Sequence, residues 1–141
     1  MEPRVVAIIV AHEEGEHLAR TLRALAAQTR APDLIVKVDN GNQPGVAAAL
    51  SSIAGSTVSL TSESSFGEAV RRAVDTLDDA GDAGFFWLLA QDSDPAPDAL
   101  ARLLGALEVS PSVAIVGPKQ MDWDRGDYIR EFGQTITGWG R

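Results

Sequence analysis

Five short apolar runs limit what this chain can fold into. They are Val5–Ala11, Leu34–Val38, Thr57–Leu60, Phe85–Ala90 and Val113–Val116. Between them, apolar residues recur three and four positions apart, as in Leu18, Leu22, Leu25 and Ala26, or Val70, Ala73, Val74 and Leu77, or Leu100, Leu103, Leu104 and Leu107. Val46–Ile53 adds a shorter helix. Strand-length runs alternating with helical stretches form βαβ units, and right-handed crossovers then place helices on both faces of one sheet. The expectation is an α/β fold with a three-layer, doubly wound, mostly parallel sheet of the Rossmann-like kind.

Punctuation supports these boundaries. Pro32 blocks continuation of the first helix, Ser65-Phe66-Gly67-Glu68 has the spacing of a capping box, and Gly117-Pro118 stops the fifth run. Beyond it, Met121–Gly126 reads as a loop and Ile129–Ile136 as an irregular or antiparallel strand. The 141 residues, 45% of them hydrophobic, suit one domain spanning 1–141. A net charge of −8, a pI near 4.6 and no Lys/Arg run argue against nucleic acid or an anionic membrane as partner. The absence of cysteine excludes disulfides and thiolate metal sites. Glu2 and Arg4 precede a strand-length run rather than a leader's core, and no apolar stretch approaches the roughly 20 residues of a membrane helix. A soluble, cytoplasmic chain is expected.

Three of the strands run into polar turns. The first enters His12-Glu13-Glu14-Gly15, the second Asp39-Asn40-Gly41-Asn42-Gln43-Pro44-Gly45, and the fourth Gln91-Asp92-Ser93-Asp94-Pro95. Open α/β sheets bind ligands at this edge. In extended chain, residues two apart point the same way, so Asp92 and Asp94 can aim hard oxygen ligands at one Mg²⁺ or Mn²⁺, which could carry a diphosphate. The competing reading is local: Asp, Ser and Pro favour any turn, and Asp94 or Asp98 could cap the next helix. Familiar phosphate sites fit poorly. Ala11–Gly15 lacks the Gly-x-Gly-x-x-Gly of a dinucleotide fold, and no loop ends in the Lys-Ser/Thr of a P-loop. A receiver-like phosphoswitch could use Glu13, Glu14 and Lys119, but its phosphoacceptor Asp should end the third strand, which ends in Leu60-Thr61-Ser62.

Taken in order, Val5–His12, Leu18…Leu22…Leu25…Gln28-Thr29, Val36-Lys37-Val38-Asp39-Asn40-Gly41, Phe66-Gly67…Ala69 and Trp87–Asp94…Pro97…Leu100 resemble the nucleotide-binding half of a family-two glycosyltransferase with the GT-A fold. Val113–Lys119 with Asp122-Trp123-Asp124 extends the resemblance toward large actinobacterial membrane-associated members. It covers nearly the whole chain.

The resemblance implies an inverting enzyme that moves a sugar from a nucleoside-diphosphate sugar to a hydroxyl of a glycan or lipid-linked acceptor, in cell-envelope polysaccharide synthesis. It implies that Val10, Ala11, His12, Glu13 and Asp39 surround the nucleobase and ribose. Asp92 takes the metal-ligating place of the Asp-x-Asp motif with Asp94 close by, the ion being Mn²⁺ or Mg²⁺. Gly67 lets the chain approach the donor, and Arg71 reaches its phosphates. Ala90 stands where that motif's first Asp would be, and His12 where many members have Tyr. Local readings remain beside these: His12 as a surface residue at a strand end, Asp39 as a turn starter, Arg71 facing solvent, and Glu14, Glu16 and His17 as a solvated first turn. Trp123 could meet acceptor or cover the sheet edge. The catalytic base is unknown and is expected downstream, so the domain is expected to be truncated on its C-terminal side. Membrane contact would then come only through further parts of the protein, and homo-oligomerisation through exposed apolar surface. The rival function is a non-catalytic nucleotide- or partner-binding domain of the same fold.

Overall fold

The computed structural model describes residues 2–132 of the chain, which divides into two compact units, Met1–Asp98 and Ala99–Arg141. The first unit alternates β1 (Val5–Ala11), α1 (Glu16–Ala26), β2 (Leu34–Asn40), α2 (Val46–Leu50), β3 (Ser56–Leu60), α3 (Phe66–Val74) and β4 (Phe85–Ala90). The strands form a four-stranded sheet in the order β3-β2-β1-β4, every pair parallel. Ala11 lies opposite Asp39, Val10 opposite Ala90 and Asn40 opposite Leu60. The polar turns therefore leave the sheet side by side.

All seven residues of the central strand β1 are buried. Because side chains alternate along a strand, that strand feeds two cores. Ala7, Ile9 and Ala11 pack with Leu18, Leu22 and Leu25 of α1, Val46 and Leu50 of α2, and Leu89. Val6, Ile8 and Val10 pack with Val36 and Val38 of β2 and Ala69 and Ala73 of α3. Helices on opposite faces of a parallel sheet give the Rossmann-like layering expected from the sequence.

Lys37 is the exception within β2. Its side chain lies on the α2 face, 3% exposed, with Nζ donating to the carbonyls of Leu50 (3.0 Å) and Ile53 (2.8 Å). The cation closes the end of α2, where helix carbonyls lack partners, and burial pushes its amine pKa down. The short helix ends at Leu50, not at the expected Ile53.

β4 is an edge strand. Phe86 and Leu88, on the face that β1 turns toward α3, are 39% and 48% exposed.

In the second unit, α4 spans Ala99–Val109 and buries Leu100 and Leu107. The expected fifth parallel strand, Val113–Val116, is absent: these residues form no ladder among the described residues, and Ile115 is 88% exposed. Strand propensity shows in a sequence, but a strand also needs a backbone partner, which a four-residue apolar run does not specify. Instead β5 (Gln120–Met121) pairs antiparallel with β6 (Ile129–Glu131). Asp122 ties their connection by accepting from the backbone amides of Asp124 (3.0 Å) and Arg125 (2.9 Å) and from Arg130 Nε (2.7 Å). Those bonds, the Arg125 amide foremost, hold its carboxyl below the usual range. Trp123 is half-buried in this turn. β6 meets the expectation of an antiparallel strand from Ile129, whose later part, 133–136, lies outside the described residues.

Candidate functional site

A cleft of about 350 Å³ opens over the carboxyl ends of β1 and β2, lined by His12, Glu13, Glu14, Gln43, Pro44 and Glu63. Its walls are the turns after β1 and β2 and the chain after β3, and glycine lets the second turn take its left-handed backbone. Gly45 has φ 82°, and a Cβ there would fall 1.9 Å from Glu14 Oε2. Gly41 (φ 116°) and Asn42 (φ 53°) also take left-handed backbone, which bends the chain sharply back from β2.

Asp39 lies at the base of this edge. β2 runs two residues further than the sequence suggested, so Asp39 is inside the strand, between Ala11 and Ser59, instead of starting the turn. Alternation from Lys37 puts it on the α1/α2 face, the face over which both turns close. It is 0% exposed, and neither carboxylate oxygen accepts a hydrogen bond from the described residues. A buried carboxylate without donors costs several kcal/mol in an ordinary core, so its retention requires an explanation. Its neighbour Asn40 is fully engaged: Oδ1 accepts from the Ser64 amide (2.9 Å) and hydroxyl (3.0 Å), and Nδ2 donates to the Ser64 carbonyl (2.9 Å). That clamp holds the chain after β3, which carries Glu63 to the cleft.

The acidic turn after β4 is joined to the turn after β1 by Gln91. Its Oε1 accepts from the amides of His12 (2.8 Å) and Glu13 (3.1 Å), and its Nε2 donates to Glu13 Oε1 (3.3 Å). Thr21 of α1 anchors the turn from below: its hydroxyl, with one proton to donate, lies within reach of the carbonyls of Gln91 (2.7 Å), His17 (3.0 Å) and Ser93. Asp92 stands exposed on this turn. The Asp94 carboxylate is paired with Arg20 Nη2 at 2.7 Å. Among the described residues no group of three or more His, Asp or Glu side chains converges as a metal cage.

Of the other residues singled out in the sequence, Val10 and Ala11 are buried at the end of β1, Val10 in the core under α3 and Ala11 in the core under α1 and α2; neither lines the cleft. Arg71 lies on the outer side of α3, where it pairs with Glu68 (2.8 Å) and Asp75 (3.0 Å); it is not a lining residue of the cleft. Hydrogen bonds from Arg71 first and Arg72 second hold Glu68 at a pKa of about 2. The capping box is half-formed: Ser65 accepts from the Glu68 amide (3.2 Å), while the Glu68 carboxylate serves the two arginines. A Cβ on Gly67 would meet nothing within 4 Å, so packing in the described chain does not require glycine there. Sequence reasoning missed Gln91, Thr21, Asn40 and Glu63. Only Gln91 left a trace, as an uncharged polar residue set between a buried strand and two aspartates.

The sequence model of glycosyl transferase family 2 matches residues 6–137, almost the whole chain. The chain belongs to glycosyl transferase family 2. Galactofuranosyltransferase GlfT1 of Mycolicibacterium smegmatis is 31% identical over 121 residues, which are 85% of this chain. The chain spans 40% of that relative's length. Among solved structures, it superposes on a 4-diphosphocytidyl-2C-methyl-D-erythritol synthase with a TM-score of 0.58 at 19% identity, over 92% of this chain and 68% of that one. CMP:2-keto-3-deoxy-manno-octonic acid synthetase complexed with CTP also gives 0.58, at 12% identity over 78% of this chain and 49% of that one. These likenesses confirm the Rossmann-like fold, and family 2 membership rests on the sequence match. Among the described residues no helix is long and apolar enough to cross a membrane.

Proposed function

We propose that this family 2 chain is the donor-binding part of a metal-dependent, inverting glycosyltransferase that takes a nucleoside-diphosphate sugar and serves cell-envelope polysaccharide synthesis at the cytoplasmic side. The observation that carries the reading is Asp39: a fully buried carboxyl group with two unused acceptor oxygens near the end of β2, just before the turn whose Gln43 and Pro44 line the cleft, so that a ligand would meet it by displacing that turn. A nucleobase edge or a ribose hydroxyl supplies the donors such a group lacks. His12, exposed at the rim, offers a ring face for stacking, Glu13 stands beside it in the wall, and Val10 and Ala11 support that wall from within β1.

The charge of the cleft supports a cation requirement. Three of its six lining residues are glutamates and none is Lys or Arg, so a bare diphosphate would be repelled. Asp92 fits one Mn²⁺ or Mg²⁺ of the kind that draws its remaining oxygens from substrate phosphates and water. Asp94, paired with Arg20, would support the turn from the side. When bound, the ion would neutralise charge building on the departing diphosphate. Arg71 could reach a phosphate only after leaving Glu68 and Asp75. Acceptor binding, glycan or lipid-linked, and the base that deprotonates its hydroxyl belong to the larger protein in this reading, as do membrane contacts. Pairing of two copies would use exposed apolar surface, of which Phe86 and Leu88 are part.

Gly67 gives one check. Gly67→Ala should stabilise the chain by about half a kcal/mol through helix propensity. If the donor passes close to this turn, the same methyl should weaken nucleoside-diphosphate binding several-fold in calorimetry. For the function as a whole, thermal melts with uridine, guanosine and thymidine diphosphates and with CTP should show stabilisation by one of the diphosphates. A shift with CTP alone would favour nucleotidyl transfer instead.

A further inference from the structure

We propose that Gln91 is the positioning residue that sets the nucleoside wall of the cleft from the acidic turn, making the two turns one unit; the proposal rests on the donor-site reading above. Two consecutive backbone amides, His12 and Glu13, converge on a single acceptor, Gln91 Oε1. Consecutive amides that share one acceptor form a small anion-attracting concavity. Here a neutral side-chain oxygen fills it, at 2.8 and 3.1 Å. Three consequences follow.

The amides after β1 are already used, so they are not the diphosphate's binding groups, and the phosphates depend on what the acidic turn offers. The backbone path of His12–Glu13, and with it the direction of two lining side chains, is fixed by a residue that directly precedes Asp92. The third bond, Gln91 Nε2 to Glu13 Oε1 at 3.3 Å, also orients a lining carboxylate. Gln91 itself has little freedom. It is 7% exposed, and Thr21 bonds its carbonyl at 2.7 Å, so the turn is fastened to α1 on one side and to β1 on the other. Hydrogen bonds to buried donors are costly to lose, and two amides left without an acceptor would move to find one. Displacement of the acidic turn is thereby transmitted to the nucleoside wall through the Gln91 side chain.

The test uses the chain itself with Gln91→Leu, which keeps size and removes the acceptor, and Gln91→Glu, which keeps the acceptor for the two amides but sets a second carboxylate oxygen against Glu13 Oε1. Amide hydrogen exchange reads the geometry without any ligand. In Gln91→Leu the His12 and Glu13 amides should exchange at least tenfold faster than in the parent, with the amides of Val6 to Val10 unchanged; Gln91→Glu should restore protection. Binding of the free nucleosides uridine, guanosine and thymidine, without metal or phosphate, reads the function. The nucleoside that binds the parent should lose about tenfold in affinity in Gln91→Leu. A purely structural residue would lower the melting temperature and leave the nucleoside Kd of the folded variant unchanged, and that result overturns the proposal. Parent-like protection of both amides in Gln91→Leu overturns it too. A parent chain that binds none of the three nucleosides overturns the donor reading, and the exchange result then decides by itself whether Gln91 holds the turn.

Discussion

Asp39→Val should make this chain more stable and less able to bind. In place of a buried carboxylate that accepts no hydrogen bond among the described residues, the variant puts a β-branched side chain of similar size in a central strand. Removing a buried, unpaired polar group and leaving no partner stranded is stabilising, by about 1–3 kcal/mol, which urea denaturation would read as a higher midpoint at unchanged slope. A ligand donor left without its acceptor costs about 1–3 kcal/mol, so losing even one such bond should weaken nucleoside-diphosphate binding by about five- to a hundredfold. Opposite movements of stability and affinity are what a functional carboxylate predicts. A structural one, serving the fold through contacts of its own, would lose stability when replaced.

Asp92→Asn should abolish the response to metal. In chelator, variant and parent should bind a nucleoside diphosphate alike, since Asp92 is exposed and lies outside the lining of the cleft. With Mn²⁺ the parent should gain at least tenfold, or about 1.4 kcal/mol, and the variant little. Asp94→Asn separates the two carboxylates. Because Asp94 is paired with Arg20 at 2.7 Å, its removal should leave most of the Mn²⁺ gain in place. Equal loss in both variants would mean that Arg20 releases Asp94 when the ion binds.

Much of the fold was legible because one force wrote both the sequence and the structure. Val5–Ala11 and Phe85–Ala90 are apolar without interruption, and both are strands at the expected boundaries. Leu18, Leu22 and Leu25 are spaced as helix requires, and all three are buried. The misses fall where partners decide. Val113–Val116 has strand composition but no neighbouring strand among the described residues. Lys37 reads as a polar residue in a strand, and nothing in its neighbours in sequence shows that two carbonyls 13 and 16 positions away receive its amine.

The site divides in the same way. The strand-end carboxylates were visible, because a charge directly after a buried strand is conspicuous in one dimension. That Asp39 is inside β2 was not, since Asn40 and Gly41 are strong turn residues and the strand's last two pairings come from Ser59 and Leu60 of β3. Gln91 was unreadable as a positioning residue because its three bonds reach residues 78 and 79 positions away. The intrahelical pairing of Arg71 was written at three- and four-residue spacing to Glu68 and Asp75, and that local arrangement is the one the structure displays.

The proposed donor site needs both the cleft and a cation. Calorimetric titration of this chain with uridine, guanosine and thymidine diphosphates, each with Mn²⁺ and with chelator, tests it most directly. One base should be preferred, and its binding should strengthen at least tenfold when Mn²⁺ is present. A well-folded chain that binds none of the three, or binds one equally well in chelator, would contradict it.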